Sequence, residues 1–393
     1  MQRYHLILAL MIVNLLLLSS SYTIVMPFIP VYLKEELLVK DEFLSFWSSA
    51  CYAITFIIAA LISPLWGHFA DKVGKKAMLV RVSFILAIAY FLGYLAQTPL
   101  QLFFARAFQG FASGMWPAVL AIISGFVPKE KTGLAMGVAQ SANLLGTVIG
   151  PAFGGFIIVN VNVSSCFLIT STIAFIITIL NIFLAKEPRV HDLEKQSVKD
   201  NLSFKELIKN NDLKLLMLAT VSQALSLMAL VPVIALHVDK LLLDDPKSMM
   251  LAGLVFSASG FAGILASPIW GHLTNKFEGL KLLSVICFMT GLFYSLQSMQ
   301  CSLYIFAILQ FLGGLSICGI APTVHTKVAM VVSDNHSAKA FSLVYACQQI
   351  GNCIGPIIAG LFMYLFNTGA VIFTVGIYLI MVSLIIFYKS NRN

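Results

Sequence analysis

The sequence predicts an all-α membrane protein whose twelve transmembrane helices form two pseudo-symmetric six-helix bundles, and three observations lead there. Apolar residues make up 59% of the 393 positions and charged ones only 11%, against about a quarter charged in a soluble domain. The apolar residues fall in twelve continuous runs, each close to the roughly 20 residues a helix needs to cross a hydrocarbon core of about 30 Å. Their continuity excludes a closed barrel, whose strands alternate apolar and polar positions. The stretch Ser63-Pro64-Leu65-Trp66-Gly67-His68-Phe69-Ala70-Asp71-Lys72-Val73 also returns 204 residues later as Ser267-Pro268-Ile269-Trp270-Gly271-His272-Leu273-Thr274-Asn275-Lys276-Phe277, with six of eleven positions identical. A six-span unit has been duplicated.

Taken in order, the runs place helices at about 6–33, 46–65, 78–97, 99–124, 133–159 and 164–185, then at about 213–238, 249–270, 280–299, 302–326, 338–366 and 368–388. The bundles are therefore 1–185 and 213–393, joined by a polar linker, 186–212. Pro27 and Pro30 remove backbone donors near the outer end of the first span and predict a bend there. Arg3 ahead of a Leu-rich run ending at Ser19-Ser20-Ser21 imitates a cleavable leader. Apolar sequence resumes at once through Tyr32, so the segment is read as a span.

The net charge of +8 is distributed by topology. Of 25 Lys and Arg, 20 fall on one set of alternate loops and termini, and only Lys34, Lys40, Lys240 and Lys247 on the other. This positive-inside bias puts both termini in the cytoplasm and gives the basic excess an orienting role, with no nucleic acid as partner. Seven cysteines, an odd number without C-x-x-C spacing, indicate neither a disulfide framework nor a zinc site. No metal or cofactor is expected. The chain has no phosphate-loop, H-E-x-x-H or G-x-S-x-G signature, which argues against an ATP-driven pump or an enzyme.

Three motifs carry a family resemblance over the full chain. Gly67 to Lys76, with Asp71, Gly74, Lys75 and Lys76 in place, resembles the loop 2–3 signature G-x-x-x-D-R/K-x-G-R/K-R/K of the major facilitator superfamily. Arg106-Ala107-Phe108-Gln109-Gly110 resembles that family's second motif. Gly146 to Gly155 resembles the antiporter motif of its twelve-helix drug:proton branch, of the bacterial multidrug efflux type, with an echo at Gly351 to Gly360. The resemblance implies the major facilitator fold and a secondary active transporter in a bacterial inner membrane. It further implies export of amphipathic or lipophilic small molecules by alternating access, with proton antiport, acting as a monomer. The alternative is a dedicated exporter of a single metabolite such as a siderophore or sugar.

The resemblance and the residues together nominate sites. Gly67, Asp71, Gly74, Lys75 and Lys76 form a gating loop, in which relatives place the residue matching Asp71 at a helix N-terminus of the other half, where the helix dipole favours a carboxylate. The duplicate carries Asn275 and Glu278 instead of Asp71 and Gly74 and predicts a weaker latch. Arg106 is the one charged residue well inside a first-half span, away from its charged loop ends, and an unpaired cation there costs about 2.5–3.5 kcal/mol. In relatives the matching Arg is implicated in proton coupling. Arg does not itself deprotonate, so His237, Asp239 and His325 join it as coupling candidates. Gly146, Gly150, Pro151 and Gly154 predict close backbone packing, either as a pliable seam between the halves or as ordinary small-residue packing. A polar stripe, Gln140, Asn143 and Thr147 on the fifth span and Tyr345, Gln348, Gln349 and Asn352 on the eleventh, marks a substrate cavity on the pseudo-two-fold axis. Trp116, Met115, Tyr22, Met26, Gln223 and Phe256 are candidates for its walls. The cavity is nearly charge-free apart from Arg106, which favours neutral or cationic lipophilic substrates over phosphate esters and dicarboxylates.

Overall fold

A computed structural model describes residues 2–126, 129–185, 210–242, 245, 247–299, 302–331 and 334–390. All regular structure among them is helical. Eleven helices there are long and apolar enough to cross a membrane, and the fourth expected span accounts for the twelfth. It is broken into two pieces of 12 residues, each too short to cross alone. The expected linker 186–212 lies outside the described residues up to position 209.

Contacts divide the chain into two compact units, Met1–Lys195 with Pro246–Ser257, and Gln196–Asp245 with Ala258–Asn393. The first two to three turns of the eighth span therefore cluster with the first unit, across the boundary that the duplication drew.

In the first unit the helices are α1 (Gln2–Val25), α2 (Ile29–Glu35), α3 (Asp41–Val73), α4 (Lys75–Tyr94), α5 (Pro99–Gly110), α6 (Met115–Phe126), α7 (Lys129–Asn160) and α8 (Val163–Leu184). The bend expected in the first span is present as a 3-10 turn at Met26–Phe28. Pro30 has no N–H to offer the Met26 carbonyl, and the Tyr52 hydroxyl donates to it instead. A reciprocal amide pair ties α1 to α8. Asn14 Nδ2 donates to Asn181 Oδ1 at 3.0 Å and Asn181 Nδ2 to Asn14 Oδ1 at 2.8 Å, so neither buried amide is left unsatisfied in an apolar surrounding.

The second unit holds α9 (Asn211–Leu241), most of α10 (Ser248–Lys276), α11 (Gly279–Gln297), α12 (Leu303–Ile317), α13 (Ile320–Val331), α14 (Asp334–Leu365) and α15 (Thr368–Ser390). Asn210 caps α9, its Oδ1 accepting from Asp212 N at 2.9 Å and Leu213 N at 3.2 Å. Ser284 and Ser383 exchange bonds between α11 and α15, each Oγ donating to the other's carbonyl at 3.0 and 2.8 Å.

Two expectations are corrected. Residues 63–76, read as a charged turn, are helical through Val73, so α3 runs 33 residues, about 50 Å at 1.5 Å per residue. It outruns a 30 Å core, and the turn after it shrinks to Gly74, whose φ of 99° suits glycine. The fourth and tenth spans, read as continuous helices over 99–124 and 302–326, are each interrupted. The first interruption is at Phe111–Gly114, where Gly114 has φ 100°, and the second is at Cys318–Gly319. Pro117 supplies the physical reason for the first, since the Ser113 carbonyl four residues earlier has no helical N–H to accept.

Candidate functional site

Two helices in equivalent positions, α7 and α14, each present three different faces. On α14 the face of Val344, Cys347, Gly351 and Gly355 is buried against α9. A Cβ added at Gly351 would stand 2.5 Å from the Val221 carbonyl oxygen, and one at Gly355 2.5 Å from that of Leu225. On one flank of this seam Ile350, Ile354, Ile357 and Leu361 are exposed. On the other flank, at about 100° per residue, stand Tyr345, Gln348, Gln349 and Asn352. Tyr345 and Gln348 are exposed, and Asn352 Nδ2 donates to Gln349 Oε1 at 3.0 Å.

The same order recurs on α7. Ala139, Ala142, Gly146 and Gly150 are buried against α1, where a Cβ at Gly146 would meet Ser19 Cβ at 2.8 Å and one at Gly150 the Ser20 carbonyl oxygen at 2.6 Å. Leu145, Ile149 and Phe156 are exposed on one flank, and Gln140, Asn143 and Thr147 stand on the other. Asn143 Oδ1 accepts from Ser19 Oγ at 2.5 Å, and Thr147 Oγ1 donates to the Leu144 carbonyl at 2.7 Å. An exposed primary amide cannot be solvated by hydrocarbon, at a cost of about 4–8 kcal/mol for water-to-cyclohexane transfer. The apolar flank of each helix therefore suits lipid, and the amide flank suits water or a polar ligand.

Of the two readings of Gly146, Gly150, Pro151 and Gly154, packing within one unit describes the three glycines, while the Pro151 carbonyl oxygen is the group that a Cβ added at Gly253 on the eighth span would meet. Gly146, Gly150 and Gly154 recur every four residues on one face, and that face packs on α1 of the same unit. A Cβ at Gly154 would meet Phe28 Cε2 at 3.0 Å. Gly155, one position further round, faces the opening turns of the eighth span instead, with a Cβ there 2.5 Å from the Met249 carbonyl oxygen.

Arg106 is 2% exposed and is held by neutral groups. Its Nη1 donates to Gln109 Oε1 and its Nε to the Cys51 carbonyl at 3.4 Å, while Gln109 Nε2 donates to the Tyr90 hydroxyl at 2.9 Å. Thr55 Oγ1 donates to the Arg106 carbonyl at 3.0 Å, which locks α5 onto α3. The guanidinium keeps one buried nitrogen, Nη2, without a partner among the described residues. Tyr90 and Gln109 were not among the residues the sequence nominated. The signal was there in Gln109, three residues after Arg106 and so on the same helix face.

The other candidates are dispersed. His237 is buried near the C-terminal end of α9, its Nδ1 2.9 Å from Thr368 Oγ1 and its ring stacked on Phe306 at 5.0 Å between centroids. His325 is exposed on α13, and Asp239 is half-buried two residues beyond His237. Gln223 is committed to structure, its Nε2 donating to the Ile317 carbonyl at 2.9 Å. Lys76 Nζ donates to the Ile182 carbonyl at 2.8 Å, tying α4 to α8, and Lys75 opens α4. Gly67, Asp71 and Trp116 lie in α3 and α6, and their side chains fall outside the described residues. No group of three or more His, Cys, Asp or Glu among the described residues gathers to hold a metal.

A family model, Major Facilitator Superfamily, matches residues 11–296 and 216–393. The chain belongs to the major facilitator superfamily. Among curated relatives it is 28% identical over 358 residues to the "Uncharacterized MFS-type transporter YuxJ" of Bacillus subtilis, covering 90% of each chain. It is 29% identical over 345 residues to the "Multidrug resistance protein MdtG" of Salmonella typhimurium, covering 87% of this chain and 84% of that one. Among solved structures it superposes on a bacterial homologue of the human lysosomal transporter Spinster with TM-score 0.81, at 15% identity, over 99% of this chain and 97% of that one. The nucleoside transporter NupG gives TM-score 0.77 at 14% identity, over 99% of each chain. The protein is thus an integral membrane protein with the superfamily fold of twelve spans in two bundles, and its relatives and structural neighbours are transporters.

Proposed function

We propose that this superfamily member exports amphipathic or lipophilic small molecules by alternating access, driven by proton antiport, as a monomer in a bacterial inner membrane with both termini in the cytoplasm. The observation that carries the reading is the amide flank on α7 and again on α14, each set apart from a lipid-suited apolar flank by a buried seam. A helix with one greasy and one wet exposed side borders both lipid and a water-filled path. The names of the MdtG relatives support drug efflux as the direction and substrate class. Arg106 supports coupling, because a buried cation held only by neutral groups raises the affinity of its surroundings for negative charge and tunes any proton-binding group that approaches.

The test is a dye-efflux assay in cells expressing the protein, with and without a protonophore. Expression is expected to lower steady-state accumulation of a lipophilic dye, and the protonophore to restore it to the level of control cells. Accumulation unchanged by expression across chemically varied dyes would sink export. Efflux that survives the protonophore would sink proton coupling alone.

A further inference from the structure

In both units the tryptophan of the duplicated stretch is tied to the break in the fourth or tenth span, by different chemistry in each. In the second unit Trp270 Nε1 donates directly to the Leu315 carbonyl at 2.7 Å, and the indole lies over Gly319, where an added Cβ would stand 2.7 Å from the ring. The Leu315 carbonyl needs that donor. Its helical partner would be the Gly319 N–H, which bonds to Ser316 instead at 2.9 Å.

In the first unit the orphaned carbonyl is that of Ser113, left without a helical donor by Pro117. The donor is Arg81 on α4, whose Nη2 reaches it at 2.5 Å. The guanidinium carbon of Arg81 in turn lies 3.7 Å over the centroid of Trp66, a cation–π stack. Position 285, which is 204 residues beyond Arg81, is an exposed valine, so the second unit has no such intermediary.

We propose that Arg81 is a positioning residue for transport, clamping α3 to the joint between α5 and α6 and so setting the direction in which α6 leaves α5. The inference rests on the transport reading above. Thr55 and the close approach at Gly110, where a Cβ would come within 2.6 Å of Ile58 Cβ, already fix α5 to α3. The joint at Phe111–Gly114 is then the place where α6 can change direction relative to α5, and Arg81 bridges it. Its remaining donors, Nε and Nη1, are buried without partners among the described residues. The clamp can therefore exchange one carbonyl for another as the joint turns, which the single N–H of Trp270 cannot do.

The experiment has three arms on the full-length protein. With Trp47, Trp116 and Trp270 replaced by Phe, Trp66 fluorescence reports the stack, and Arg81→Gln is expected to shift its emission while Arg81→Lys does not. Hydrogen exchange at the amides of Met115, Trp116 and Ala118 is expected to rise at least about ten-fold in Arg81→Gln, the scale of one lost charged hydrogen bond, with the amides of Gly319, Ile320, Ala321 and Thr323 unchanged. Trp270→Phe is expected to give the reverse pattern. In transport, Arg81→Gln is expected to lower kcat by a similar factor with KM little changed, and Arg81→Lys to recover most of it. Unaltered exchange at Met115, Trp116 and Ala118, or raised exchange with wild-type transport, overturns the proposal. If Arg81→Gln does not fold, Trp66→Leu is read by exchange and transport in its place. If the wild-type protein moves no substrate, the export reading fails, and the first two arms still decide whether the clamp exists.

Discussion

One position in the duplicated fold holds a charge in the first unit and none in the second. An offset of 204 residues pairs Arg106 with Gln310, Tyr90 with Tyr294 and Gln109 with Gly313. All of these lie in corresponding helices, and Arg106 and Gln310 are 2% and 3% exposed. In the first unit the three residues form a chain from guanidinium through amide to phenol. In the second, Gln297 Nε2 donates to Gln310 Oε1 at 2.8 Å, while a Cβ added at Gly313 would stand 2.5 Å from the ring of Tyr294. The Tyr294 hydroxyl is buried with no partner among the described residues. The scaffold therefore does not need the arginine for packing, because its own twin is built with a neutral amide at that place. A costly feature kept in one copy alone is better explained by the transport cycle than by the fold.

The largest expected effect comes from making the two copies alike. Arg106→Gln is expected to leave expression and melting temperature close to wild type, since Gln310 shows the substitution fits. Proton-driven uptake into inverted vesicles should fall at least about ten-fold, as expected when a charged partner is removed from a buried network. Normal uptake in this variant would place coupling elsewhere. The converse change, Gln310→Arg, is expected to destabilise the protein by about 2.5–3.5 kcal/mol, the cost of an uncompensated cation at bilayer depth, seen as a lowered melting temperature in detergent.

A finer separation is available at the paired tyrosines. Tyr90→Phe removes the acceptor of Gln109 Nε2 and strands a buried amide, at a cost of about 1–3 kcal/mol. Tyr294→Phe removes a buried hydroxyl that has no partner among the described residues, and is expected to leave stability unchanged or raise it by up to about 1 kcal/mol. Thermal melts of the two variants, measured side by side, should show a loss for Tyr90→Phe and none for Tyr294→Phe. Equal losses would mean that the two units are more alike at this level than their contacts indicate.

How much of this was legible beforehand depends on whether a feature is local or relational. The twelve spans, the duplication and the bend at Pro27–Pro30 were readable because each follows from a run of residues or a missing N–H. The polar flanks of α7 and α14 were readable because spacing alone sets a helix face. The partners of Arg106 were not, since Tyr90 comes from another helix and only packing brings it there. Nor was the role of Gly146, Gly150 and Gly154, because four-residue spacing says that some backbone approaches closely but not which one. The break at Gly114 could have been inferred from Pro117, yet the apolar run continues across it and hides it.

The smallest effect tests another asymmetry of the duplication, Glu278 where the first copy has Gly74. Glu278 Oε2 lies 2.8 Å from Lys281 Nζ, and Ser390 Oγ donates to Glu278 Oε1 at 3.3 Å, so the carboxylate joins the start of α11 to the end of α15. The hydrogen bond from Lys281 holds its pKa below the ordinary value of 4.5. The folded state therefore binds this proton less readily than the unfolded chain does. The stabilisation it brings is complete above about pH 4.5, the unfolded value, and is lost as the pH falls through the lower folded value. The pair is about half exposed, and such surface pairs contribute little. Glu278→Gln is thus expected to change the melting temperature only slightly at pH 7 and to flatten its decline in acid, an effect that added salt should reproduce. An acid decline as steep in the variant as in the wild type would assign the pH dependence to other carboxylates and leave Glu278 as a helix-terminal residue without electrostatic work.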